Sequence, residues 1–137
     1  MAYRKKLPRT FEKFKAGLEK LEESLSGEFE AKYDKEILIE IVIKRFEYTF
    51  ESMWKTLKEI VLEEGIDCSS PLGCFKEAFK LGLIEDRFED VFPLMVKKRN
   101  EAVHLYSYED SLETYLLIKS SFTPAIVDMF KKIRDKF

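Results

Sequence analysis

Glycine and proline are scarce, with five and four in 137 residues. A turn-rich β-sandwich or barrel needs such punctuation every ten residues or so, and this chain does not supply it. The longest apolar stretch, Ile37 to Ile43, is broken by Glu40, whereas a membrane-spanning helix needs about 20 apolar residues in a row. The basic start, Arg4-Lys5-Lys6, lacks a following apolar run and does not read as a secretory signal. No surplus of one charge exists either. Lys plus Arg is 24, Asp plus Glu is 26, and the formal charge is −2. A broad nucleic-acid surface finds no support in that balance, although a local basic patch remains open. One histidine, two cysteines and no Cys-x-x-Cys are too few for a Cys/His zinc site, and no metal or cofactor is expected. Cys68 and Cys74 do not make a disulfide framework and read as reduced thiols of a cytoplasmic protein.

What is present is helical patterning. Phe11, Phe14, Leu18, Leu21 and Leu25 recur at steps of three and four, one apolar stripe with Pro8 in its first turn. Asp34 reads as the cap of a second helix that meets no breaker before Gly65. Those 30 or so residues span roughly 45 Å, a spine for the others. Ser70-Pro71 starts a short helix that stops at Gly82. Asp86 can cap another segment, in which Pro93 predicts a kink or fresh start. Ser107 with Asp110 resembles a capping box, and Pro124 should bend the last helix. The short connections favour one all-α domain over residues 1–137, an antiparallel up-and-down bundle of about five helices.

His104 is the only histidine, so any imidazole chemistry runs through it. It closes the string Arg99-Asn100-Glu101-Ala102-Val103-His104. Arginine presents a planar fork that matches phosphate oxygens, and histidine titrates near neutrality and can move a proton. Arg99 and His104 lie about 140° apart on an ideal helix, so they converge only if the helix ends near His104. Asn100 and His104, four apart, share a face. A lone histidine near a helix C-terminus is otherwise a favourable partner for the helix dipole.

Phe46, Phe50, Trp54 and Leu57 fall at helical spacing and read as core. Glu47, Glu51 and Lys55 run along a neighbouring face, either a solvated ion-pair ladder or a polar lining opposite Arg99. Arg45 is a phosphate contact or a plain surface charge. In Lys97-Lys98-Arg99 the two lysines point about 100° apart, so only one faces a site at Arg99, and Lys98 is the candidate.

Three segments resemble the HEPN superfamily, and more closely its nucleotidyltransferase substrate-binding protein branch. They are Arg45 to Leu57, Ala78 to Ile84, and Arg99-Asn100 followed by His104-Leu105-Tyr106. The last matches the family's Arg-x4-6-His motif in its longer form ending His-x-Tyr. The resemblance implies a HEPN-like helical bundle, a homodimer with the Arg/His motifs facing each other, and a separately encoded minimal nucleotidyltransferase as partner. This chain would be the helical subunit, binding a nucleotide or RNA substrate. It carries neither a Gly-Ser turn followed by Asp-x-Asp nor a P-loop. Other HEPN members resemble metal-independent ribonuclease toxins. By that analogy Arg99 steadies the phosphate, His104 moves the proton and Asn100 orients the site. Tyr106 would then be the residue modified with AMP to silence the enzyme.

Overall fold

The computed structural model describes residues 7–104 and 107–137. Helix α1 (Thr10–Ser24) buries Phe11, Phe14, Leu18 and Leu21, the stripe read from the sequence. Pro8 sits just outside it, and its carbonyl accepts from the Phe11 N–H at 3.0 Å. A single turn, α2 (Gly27–Glu30), follows, and the Ser26 hydroxyl that caps it accepts from the Phe29 N–H at 3.1 Å. The spine is α3 (Lys35–Glu63), 29 residues and about 43 Å long. Asp34 does cap its start, through its carbonyl to the Leu38 N–H at 2.9 Å and not through its side chain. Gly65, at φ +81°, turns the chain off the helix in a conformation that penalises any Cβ.

Next come α4 (Pro71–Lys80), a 3-10 turn at Asp86–Phe88 and α5 (Val91–Glu101). Ser70 caps α4 by accepting from the Gly73 N–H at 3.1 Å. Pro93 causes no kink: it lies in the first turn of α5, where the N–H it lacks would have no helical partner. A 3-10 turn, Ala102–His104, extends α5. Ser107 caps α6 (Tyr108–Leu117) by accepting from the Asp110 N–H at 3.1 Å. A π-helical turn, Ile118–Phe122, then leads into α7 (Thr123–Lys136). Pro124 explains that turn. It has no N–H for the Ser120 carbonyl and its ring crowds that oxygen, and a wider turn just before it relieves both.

The result is an antiparallel all-α bundle whose core is an aromatic chain crossing between helices. Phe11 stacks on Phe130 at 5.0 Å, joining α1 to α7. Phe46 meets Phe122 at 5.5 Å, joining α3 to the π turn. Phe50, Phe75 and Phe92 follow one another at 5.8 and 4.9 Å, joining α3, α4 and α5. Phe50 is fully buried, as its spacing implied, while Trp54 is only partly so. Buried hydroxyls on α3 satisfy themselves locally: Thr49 and Thr56 each donate to the carbonyl four residues back at 2.8 Å.

The cysteines are a correction. Cys68 and Cys74 form a disulfide and are not separate thiols. The chain leaves α3 at Gly65 and restarts at Ser70-Pro71, and this reversal brings the two Cα atoms to 5.2 Å, inside the bridgeable range.

A polar clasp ties the approach to α5 onto α7. Glu85 lies 2.6 Å from Arg87 and 3.1 Å from Lys132, which also reaches Asp128 at 3.3 Å. Hydrogen bonds from Arg87 and then Lys132 hold the Glu85 carboxyl below its ordinary range, and Glu85 raises the Lys132 ammonium. The lowered acid contributes stability above its unfolded pKa and loses it as pH falls through the folded one. The raised base contributes below its unfolded pKa and loses it as pH rises through the folded one. Glu85→Gln should therefore melt below wild type near neutrality, and the gap should close in thermal melts taken below the carboxylate range. A gap unchanged at acid pH would exclude the ion pair as its cause.

Candidate functional site

α1 and α3 cross closely because Gly17 has no side chain. A Cβ there would stand 2.8 Å from Cδ1 of Tyr48 and 3.1 Å from Oγ1 of Thr49. Beside this crossing a cleft of about 870 Å³ opens between α1, α3 and the C-terminal end of α5. α1 contributes Gly17 and Lys20, α3 contributes Lys44, Arg45, Glu47, Tyr48 and Glu51, and α5 with its extension contributes Arg99, Asn100 and Val103. Residues 44, 47, 48 and 51 share one face at helical spacing, and the long α3 holds them rigidly.

Arg99 is anchored on three sides. Its Nη2 donates to Oε2 of Glu51 at 2.5 Å, its Nη1 donates to Oδ1 of Asn100 at 3.3 Å, and its Cζ lies 5.2 Å from the centre of the Phe50 ring. The other oxygen of Glu51 is 3.4 Å from Nζ of Lys55. Glu51 therefore pairs with Lys55 along α3 and also stands opposite Arg99. Arg45 is pinned on the rim. Its Nη1 donates to the Lys20 carbonyl at 2.7 Å and to Glu23 at 3.3 Å, and its guanidinium lies over the Phe29 ring at 5.0 Å.

Two residues fall elsewhere. Lys98 turns toward α6 and lies 3.3 Å from Glu113 and 3.6 Å from Glu101, so the basic run does not form one patch. His104 is exposed on the 3-10 turn and is not among the residues lining the cleft. Three residues per turn advance the chain about 120° per residue against 100° in an α-helix, which removes the face expected for Asn100 and His104 together. Tyr106 lies outside the described residues.

Lys20, Lys44 and Tyr48 escaped the sequence reading. Lys20 comes from another helix, and nothing local announces it. Lys44 and Tyr48 carried a usable signal, since they share the face of Glu47 and Glu51. With them the cleft holds four cationic side chains, Lys20, Lys44, Arg45 and Arg99, against two carboxylates among the described residues, in a chain whose net charge is −2. A concave surface with that bias and an exposed aromatic ring suits a phosphate-bearing ligand. Among the described residues no group of three or more His, Cys, Asp or Glu could hold a metal ion, and no helix is long and apolar enough to cross a membrane.

The family model described as nucleotidyltransferase substrate binding protein like matches residues 9–135. A protein of Thermus thermophilus, known from its crystal structure, is similar at 25% identity with a TM-score of 0.77, over 88% of this chain and 98% of that one. No curated protein matches the chain.

Proposed function

The chain belongs to the nucleotidyltransferase substrate-binding-protein-like family, and from that premise we propose that it is the helical subunit of a two-component system. Its partner is a separately encoded minimal nucleotidyltransferase, and its own task is to hold the nucleotide or RNA on which that enzyme acts. The observation that carries this reading is the cationic cleft, where Arg99 is oriented by Glu51, Asn100 and the Phe50 ring. A fixed guanidinium binds phosphate at low entropic cost, because its rotamer is already set. Lys20, Lys44 and Arg45 add the attraction that draws a polyanion to the cleft. The subunit works as a HEPN-like homodimer in which the two Arg99 clefts face each other.

A second reading keeps Arg99, Asn100 and His104 as a metal-independent ribonuclease, with AMP on Tyr106 as its off-switch. The adjacency of Arg99 and Asn100 in the cleft favours it. It assigns proton transfer to His104, which is not in the described lining of one chain's cleft. Size-exclusion chromatography after coexpression with a minimal nucleotidyltransferase of the same organism separates the readings, alongside RNA incubated with the unmodified protein in EDTA. The substrate-binding subunit gives a stable complex and intact RNA. Cleavage that is lost in His104→Ala would replace that reading with the nuclease.

A further inference from the structure

Among the described residues Tyr48 is the one large aromatic in the cleft lining, and its residue surface is 54% exposed, whereas Phe46 and Phe50 beside it on α3 are fully buried. It is not loosely placed. The ring edge rests over Gly17, where an added Cβ would lie 2.8 Å from Cδ1 and 3.1 Å from Cε1. A notch on α1 thus seats one edge of the ring and leaves the rest open to the cleft.

Charge flanks this ring on both sides. Lys44 and Arg45 lie toward one end, with Lys20 across from them, and Arg99 lies toward the other, against Glu51. From Lys44 to Glu51 the helix rises about 10 Å. A free mononucleotide carries phosphate on one side of its base only. A nucleotide inside a strand carries phosphate on both sides.

We propose that the cleft binds an internal nucleotide of a single-stranded polynucleotide, with its base stacked on Tyr48, one phosphate at Lys20 and Lys44, and the next at Arg99. This rests on the reading of the cleft as the substrate site. Glu51 does not obstruct the second phosphate. It occupies Nη2 of Arg99, while Nη1 meets the neighbouring amide of Asn100 at 3.3 Å, a contact that a phosphate oxygen can displace. A duplex is disfavoured, because its bases are already stacked on one another.

The test is fluorescence anisotropy at low salt with a labelled adenine RNA hexamer, competed by unlabelled hexamer, by ATP and by an RNA duplex. The hexamer should bind, and ATP and the duplex should compete poorly. Tyr48→Ala should weaken hexamer binding about tenfold, within the range that loss of one stacked base gives, and Tyr48→Phe should retain it. Lys44→Ala should weaken it as well and reduce the salt slope by about one. Tyr48→Ala binding as well as wild type, with Arg99→Ala impaired, would remove the stacking platform and leave the cleft as a substrate site. ATP competing as well as the hexamer would overturn the strand in favour of a mononucleotide, again leaving the cleft reading intact. Wild type binding neither hexamer nor ATP would overturn both.

Discussion

Phe50→Ala is expected to lower the stability of the protein by about 3–5 kcal/mol, the range for removing a buried aromatic ring. The ring is wholly inaccessible, with Phe46 at 6.0 Å and Phe75 at 5.8 Å. Its loss would open a cavity where α3 meets α4, and the long spine cannot close that cavity without shifting every helix it carries. Domains of this kind have a total stability of about 5–15 kcal/mol, so the variant stands near the limit of folding. The same ring lies beneath Arg99 at 5.2 Å, and whatever fraction of Phe50→Ala remains folded should hold its guanidinium less firmly. Urea melts would measure the first effect, with Phe50→Leu as a milder comparison that keeps most of the volume. A loss below about 1 kcal/mol would mean that the site collapses far better than its packing indicates.

The second large effect comes as a pair of opposite signs. Arg99→Ala should weaken binding of an anionic ligand about 10–100-fold, the loss of one hydrogen-bonded charge, and it leaves Glu51 facing the ligand. Glu51→Gln should do the reverse. It keeps an amide oxygen that can accept from Nη2 of Arg99 but removes the negative charge, so the cleft becomes more positive and anion affinity should rise. Neither side chain is fully buried, and both effects should shrink at high ionic strength. Titration of a labelled RNA hexamer at two salt concentrations would read both variants. If Glu51→Gln weakens binding as Arg99→Ala does, the carboxylate's hold on Arg99 matters more to the ligand than the negative charge it brings to the cleft.

Much of the fold is legible in the sequence because helix boundaries are written in local chemistry. Ser70, Ser107, Gly65 and Gly82 act where they stand, and the apolar stripes of α1 and α3 follow from a period of 3.6 residues. What escaped depends on the third dimension. The approach of Cys68 to Cys74 is set by a chain reversal that periodicity does not describe. Pro124 signals a disturbance of the helix, but whether it becomes a bend or a wide turn depends on what packs around it. Arg45, Glu47, Glu51, Arg99 and Asn100 do come together in one cleft. The first three share one helix, and the last two sit where a second helix ends against it. Lys98 is one residue from Arg99 in the chain but about 100° from it around the helix, and α6 holds it there. Lys20 and the Gly17 notch belong to a helix crossing, which no single segment announces.

The Cys68–Cys74 bridge encloses Ser69, Ser70, Pro71, Leu72 and Gly73 in a covalent ring. A protease cut at any peptide bond inside that ring would leave the two fragments joined through sulfur. The nicked protein would run as one species on a non-reducing gel and as two after reduction. The connection between the spine and the remaining helices can therefore be severed without the halves parting.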